Sequence, residues 1–115
     1  MKATIEYPDF EKLDLRVGVI LEAHVPAWSK KLMEFVVDFG EEIGKKTILS
    51  GIRAWYAPED FVGKRYPFIV NLAERKMGEG VSQGMMIMAD GKIGDDARPI
   101  VFQLPNVVEP GTVIR

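Results

Sequence analysis

The chain has 115 residues, 47 % hydrophobic and 28 % charged, with a formal charge of −2. That length supports one domain with a single core, small enough for a dimer to stabilise it further. The lack of cysteine excludes disulfides, thiol chemistry and cysteine-ligated metal, and one histidine, His24, cannot build a metal cluster alone.

Residues 1–7 carry no pattern beyond an extended arm. Pro8 to Leu13 reads as one helical turn that Asp9 can cap, with Phe10 and Leu13 on one side. Leu13, Leu15, Val17, Val19 and Leu21 then alternate with Asp14, Arg16, Gly18, Ile20 and Glu22, which predicts a first strand with the odd-numbered set buried. Gly18 in mid-strand predicts a bulge or sharp bend. The loop His24 to Lys31 follows, and its Trp28 is expected to fold back onto the protein or meet a partner, with base stacking as the alternative. Met33, Phe35, Val37 and Phe39 predict a second strand facing inward. A turn at Gly40–Gly44 leads to a third strand over Lys45–Ser50, so the pair forms a hairpin. Trp55 and Tyr56 read as core or interface residues. Ala57–Gly63 is punctuated as a short helix, with Pro58 in the first turn, Glu59 and Asp60 at the positive end of the dipole and Gly63 as the stop.

A fourth strand is expected from Arg65 to Asn71 and a fifth over about Met85–Ala89, followed by a turn at Asp90–Gly91, a further strand at Pro99–Phe102 and an apolar tail, Leu104–Arg115. The connection between strands four and five carries the chemistry. It presents Asn71, Arg75, Lys76, Ser82, Gln83 and Met85 within a few residues, a polar and cationic lip around one flexible apolar side chain. Such a lip suits a backbone phosphate beside an unstacked base better than proton transfer. The plainer reading is a hairpin-like connection in which Gly78, Gly80 and Gly84 supply positive φ.

Asn71-Leu72, Arg75-Lys76-Met77 and Ser82-Gln83-Gly84-Met85 resemble the tRNA-binding domain found at the C-terminus of methionyl-tRNA synthetase and in free-standing tRNA-binding proteins, including the endothelial-monocyte-activating-polypeptide type. Upstream segments match in order: Asp9 through Gly18, Val37-Asp38-Phe39-Gly40 and Ser50-Gly51-Ile52-Arg53. The resemblance covers about residues 8–115. Composition alone does not choose among small all-β barrels. The resemblance implies the OB-fold: five strands with a short helix after strand three, barrel about 13–90, and N- and C-terminal extensions (the latter about 91–115) that make a homodimer. It implies tRNA binding through Lys31, Asn71, Ser82, Gln83 and Met85, joined by Arg75 and Lys76, with no cofactor, no metal and no catalytic residue. The implied partners are tRNA, a second copy and, for a beta subunit, the methionyl-tRNA synthetase catalytic subunit.

Four positions depart from the family pattern. Lys30 stands where an acidic residue is common, and Trp28 looks like an added loop residue. Glu74 replaces a usual proline, and Gly78, followed by Glu79, stands where many relatives carry arginine. The last two make the loop less cationic, and a carboxylate beside a phosphate weakens binding unless a cation neutralises it.

Charge is unevenly distributed. From Lys30 to Lys76 nine Lys/Arg stand against seven Asp/Glu, while the rest of the chain holds six against ten. Cations come as the pairs Lys30-Lys31, Lys45-Lys46, Lys64-Arg65 and Arg75-Lys76, which predicts modest affinity with a shallow salt dependence. No apolar run approaches the ~20 residues of a membrane span and no leader opens the chain, so a cytoplasmic protein is expected. The alternative function is a homodimeric export-related chaperone that binds peptides; the Ser82–Met85 loop favours tRNA. An enzyme is the weakest reading, since nothing assembles a catalytic or phosphate-cradling motif.

Overall fold

The inward alternation of Met33, Phe35, Val37 and Phe39 sets the architecture, because all four are sealed from solvent. In the computed structural model, which describes residues 1–115, the first three lie on β2 (Met33–Asp38), with Phe39 just past its end, between β1 (Leu15–His24) and β3 (Lys45–Ser50). The antiparallel order is β3-β2-β1-β4-β7, with β4 at Arg65–Ile69 and β7 at Met85–Met86. The sheet curls into a nearly closed five-stranded barrel of the OB type. β1 spans the curl: Leu15–Val19 pair with β4, and Val19–His24 pair with β2, with a register shift between Ile20 and Glu22. No helix is long and apolar enough to cross a membrane.

The parity expected for β1 is reversed. Ile20 is buried in the core cluster while Leu21 is exposed, and a Cβ on Gly18 would lie 2.5 Å from Val37, 2.6 Å from Phe39 and 2.8 Å from Phe68 side chains. Gly18 and Ile20 therefore face the barrel interior, and past the register shift the inward position passes to Ala23. Glycine sits at position 18 because three neighbouring side chains already fill the space a methyl would need. Val17 is also buried, but outside the core cluster. Its N–H donates to the Thr112 carbonyl, and its carbonyl accepts from the Gly111 N–H.

The helix after β3 is reduced to a single 3-10 turn, Pro58–Asp60, with Asp60 accepting the Ala57 N–H at 2.8 Å. It delivers Phe61 into one end of the barrel, where the ring meets Phe35, Tyr56 and Tyr66 at centroid distances of 4.9, 5.4 and 5.5 Å. Each such aromatic pair adds roughly 0.5–1.5 kcal/mol beyond the area buried. The expected turn after β2 is a one-turn helix, α2 (Gly40–Ile43), and the N-terminal turn is α1 (Tyr7–Glu11), in which Asp9 accepts the Glu6 N–H.

The fifth strand expected over about Met85–Ala89 breaks after Met86: β7 stays on the barrel and the chain continues in a separate sheet. β8 (Met88–Ile93) and β9 (Asp96–Val101) form a hairpin that turns at Gly94 (φ +62), not at Asp90–Gly91. Gly91 is needed for room, since a Cβ there would lie 2.5 Å from Ile100 Cγ1. The C-terminal tail, expected to leave its apolar residues for a partner, first straps its own barrel. β10 (Val113–Ile114) pairs with Leu15 and Arg16, and the Arg65 guanidinium donates to the Val108 carbonyl. Arg16 donates to Asp14 at 2.7 Å and to the Gly111 carbonyl at 3.1 Å; the Asp14 hydrogen bond raises its already high pKa, so this tie stays charged. Val107 and Val113 nevertheless remain exposed.

Candidate functional site

The barrel is not closed by a backbone ladder between β3 and the fifth strand. The closure is made mainly by side chains from the 71–88 connection, with one backbone bond among them. Ser82 Oγ accepts the Leu49 N–H at 3.0 Å and donates to the Gly84 carbonyl at 2.9 Å. Gln83 Oε1 accepts the Thr47 N–H at 2.9 Å, while the Gln83 N–H donates to the Thr47 carbonyl at 2.8 Å. Two edge donors of β3 are thus satisfied where no strand pairs with it, as buried backbone polar groups require.

Gly84 belongs to the same seam: a Cβ would lie 2.7 Å from the Ile69 carbonyl oxygen. Of the three glycines in this connection only Gly78 has positive φ, at +63°. It turns a small separate hairpin, β5 (Arg75–Met77) and β6 (Gly80–Ser82), that projects beside the seam.

Hairpin and seam enclose a cleft of about 450 Å³. Met77, Leu72 and Met85 give it apolar lining, and Arg75, Ser82, Gly84 and Ser50-Gly51 line it as well. Met85 is the flexible apolar element, 47 % exposed, whereas its strand neighbour Met86 points into the core at 5 %. A thioether next to a guanidinium offers an apolar contact for a base face beside a charge for a phosphate.

The residues picked from sequence separate into two groups. Asn71, Ser82 and Gln83 hold the scaffold. Asn71 Oδ1 accepts the Asp14 N–H at 2.8 Å and its Nδ2 donates to the Lys12 carbonyl at 2.7 Å, pinning the segment after α1 to the end of β4. Ser82 is only 3 % exposed, and Gln83 Nε2 donates to Glu74 at 3.2 Å. Met85, Arg75, Lys76 and Lys31 are exposed. Lys31 does not line the cleft, but its carbonyl accepts the Arg53 N–H at 3.2 Å, which ties its loop to the chain just past Ser50-Gly51.

Arg53 is the residue whose role sequence reading left open. Its guanidinium also donates to the Ser29 carbonyl, so it clamps the β1–β2 loop from two points. The Ser50–Arg53 motif was the available signal. Trp28, on that loop, folds back onto Gly78 and Gly80.

Electrostatically the lip is uncommitted. The ion pairs of the protein involve Lys12, Arg16 and Arg98, and Glu34 lies against His24, so Lys31, Arg75 and Lys76 carry unpaired charge. Glu74 is held by Gln83 and makes no ion pair with Arg75. Elsewhere, burial of Tyr66 at the opposite end of the barrel, with a smaller contribution from Asp60, pushes its phenol up to about 12.

Comparison with known proteins gives three results. Residues 15–113 match the family model described as "Putative tRNA binding domain". The chain is 42 % identical over 115 residues to methionine–tRNA ligase of Bacteroides fragilis, covering all of this chain and 16 % of that protein. It is 45 % identical over 109 residues to methionine–tRNA ligase of Chromobacterium violaceum, covering 94 % of this chain and 15 % of that one. The chain thus spans about one-sixth of these relatives. Among solved structures, a MetRS-related protein from Pyrococcus horikoshii superposes with a TM-score of 0.89 at 31 % identity, covering 99 % of this chain and 100 % of that one. The chaperone CsaA of Bacillus anthracis superposes at 0.81 with 26 % identity, covering 98 % and 100 %.

Proposed function

The chain belongs to the tRNA-binding domain family, and from that premise we propose that it binds tRNA by shape, as a module without chemistry of its own. The observation that carries this reading is the cleft itself. Exposed Met85 and half-buried Met77 line it beside Arg75, with Lys76 next in sequence, and neither cation is neutralised by a carboxylate. Arg75, Lys76 and Lys31 hold backbone phosphates, and Met85 lies against an unstacked base. Asn71, Ser82 and Gln83 contribute by holding the lip in place, and any hydrogen bond from them to sugar or base is made from that fixed position. Tying Glu74 to Gln83 limits its opposition to a phosphate, although its charge remains nearby.

In this reading the protein is a cytoplasmic homodimer whose second site raises the effective concentration of tRNA. The exposed Val107 and Val113 beside the strap are the apolar surface offered to the second copy. The likeness to methionine–tRNA ligases and to the MetRS-related protein supports a role as accessory beta subunit to a methionyl-tRNA synthetase or as a free tRNA-binding protein. The second reading, a peptide-binding chaperone, rests on the superposition with CsaA.

Titrating unfractionated tRNA at several salt concentrations separates them. With three cations on phosphates, log Kd is expected to change with log salt by a slope of about 2–3, and Arg75→Ala should lower that slope by nearly one. Absence of tRNA binding at low salt, together with saturable binding of an unfolded peptide, transfers the assignment to the chaperone reading.

A further inference from the structure

Trp28 and Gly78, two of the departures from the family pattern, occupy the same place in the fold. A Cβ on Gly78 would overlap Cζ3 of the Trp28 indole and lie 3.0 Å from its Cε3. A Cβ on Gly80 would lie 3.1 Å from its Cζ2 and 3.3 Å from its Cη2. The six-membered ring therefore covers the glycine face of the β5–β6 hairpin, a seat that only residues without side chains leave open. Two three-residue strands outside the main sheet are marginal by themselves. The loop on the other side of the ring is well held. Ser29 Oγ accepts the N–H groups of Lys31 and Leu32 at 3.2 and 3.1 Å, and Arg53 clamps the carbonyls of Ser29 and Lys31. The indole thus bridges an anchored loop carrying Lys30 and Lys31 and the outer part of a hairpin that is otherwise held to the barrel through Ser82 and the Leu49 side chain, and that carries Arg75 and Lys76.

We infer that Trp28 is a positioning residue for RNA binding: its ring locks the β5–β6 hairpin against the β1–β2 loop, so that the two cation pairs act as one phosphate-binding surface. This rests on the tRNA-binding reading above. It gives the less cationic Gly78 a purpose, since the position that elsewhere carries a charge here receives the ring that aligns the remaining charges.

The test combines tRNA titration across salt with amide hydrogen exchange, on the wild type, Trp28→Ala, Trp28→Phe, Arg75→Ala, the Trp28→Ala/Arg75→Ala double variant and Gly78→Ala. Gly94→Ala serves as the control, because Gly94 has the same positive φ (+62) as Gly78 (+63) with nothing near its Cβ position. Trp28 carries no charge, so removing a mere base contact would weaken binding without altering the salt slope. Removing the lock should weaken binding about tenfold at low salt and lower the slope by about 0.7 or more, because a phosphate contact is lost. Arg75→Ala should then add little in the Trp28→Ala background. Trp28→Phe should recover part of the affinity, and Gly78→Ala should resemble Trp28→Ala while Gly94→Ala binds normally.

Exchange should quicken in Trp28→Ala at the amides of Arg75–Ser82 and not across β1–β4. If exchange in the hairpin is unchanged, the lock is wrong whatever the RNA result. If Arg75→Ala lowers affinity and slope while Trp28→Ala changes neither, the lock is wrong and the tRNA reading stands. If the hairpin loosens as expected and the wild type binds no tRNA, the role in RNA binding falls together with the reading on which it rests.

Discussion

Replacing Ser82 and Met85 by alanine, one at a time, should split stability from binding although the residues lie three apart. Ser82 is buried and makes two hydrogen bonds, one of them the sole acceptor given to the Leu49 N–H on the open edge of β3. A net contribution of about 0.5–1.5 kcal/mol per bond, with the added cost of stranding a buried donor, gives a loss of about 2–3 kcal/mol for Ser82→Ala. For a domain of this length the unfolding entropy converts that loss to a fall of about 10 °C in Tm. Met85 is about half exposed and bonds to nothing through its side chain, so Met85→Ala should cost less than about 1 kcal/mol of stability. Its loss should appear in the tRNA titration as a roughly fivefold weaker Kd, the equivalent of about 1 kcal/mol of apolar contact. Thermal unfolding and binding isotherms on the same preparations measure both effects. The reasoning is refuted if Ser82→Ala melts within about 2 °C of the wild type yet loses tRNA affinity, since Ser82 would then be spent on RNA and not on the seam.

Three further outcomes follow from the packing. Gly18→Ala places a methyl among Val37, Phe39 and Phe68 and should cost about 1–3 kcal/mol, read as a lower urea midpoint with unchanged m-value; a neutral result would mean that β1 does not face the interior there. Asn71→Ala releases Asp14 and Lys12 and should cost about 1 kcal/mol, with faster proteolysis confined to residues before Leu15. Between pH 10, where the unfolded phenol ionises, and about 12, where the buried Tyr66 does, the unfolded state loses its proton first, so stability falls as pH rises. The loss should be on the order of 2 kcal/mol, and Tyr66→Phe should flatten the slope.

Much of the barrel was readable from local pattern. The period-2 run on β2 translates directly into structure and the punctuation around Pro58 and Gly63 into a shorter 3-10 turn, because one buried face and a stopped turn are properties of a few consecutive residues. The β1 parity was misread for a specific reason. Leu15, Val17 and Val19 look like a core face, yet a glycine marks the true interior, where Val37, Phe39 and Phe68 arrive from distant parts of the chain. The turn at Gly94 was missed likewise: Asp90-Gly91 is a good turn pair locally, but Gly91 is there to admit Ile100.

The candidate site shows the same division. Sequence alone determined which short stretch carries the lip, and that its cations and Met85 lie close together along the chain, since proximity in sequence needs no folding. It could not decide which polar side chains remain free. Asn71, Ser82 and Gln83 look equally available in a linear reading. Only the arrival of β3 and of the segment after α1 beside them commits their hydrogen bonds to Leu49, Thr47, Asp14 and Lys12. Nor could it bring Trp28 onto Gly78. That contact joins two loops distant in sequence, and an empty space beside a glycine becomes a binding seat only when another part of the chain fills it.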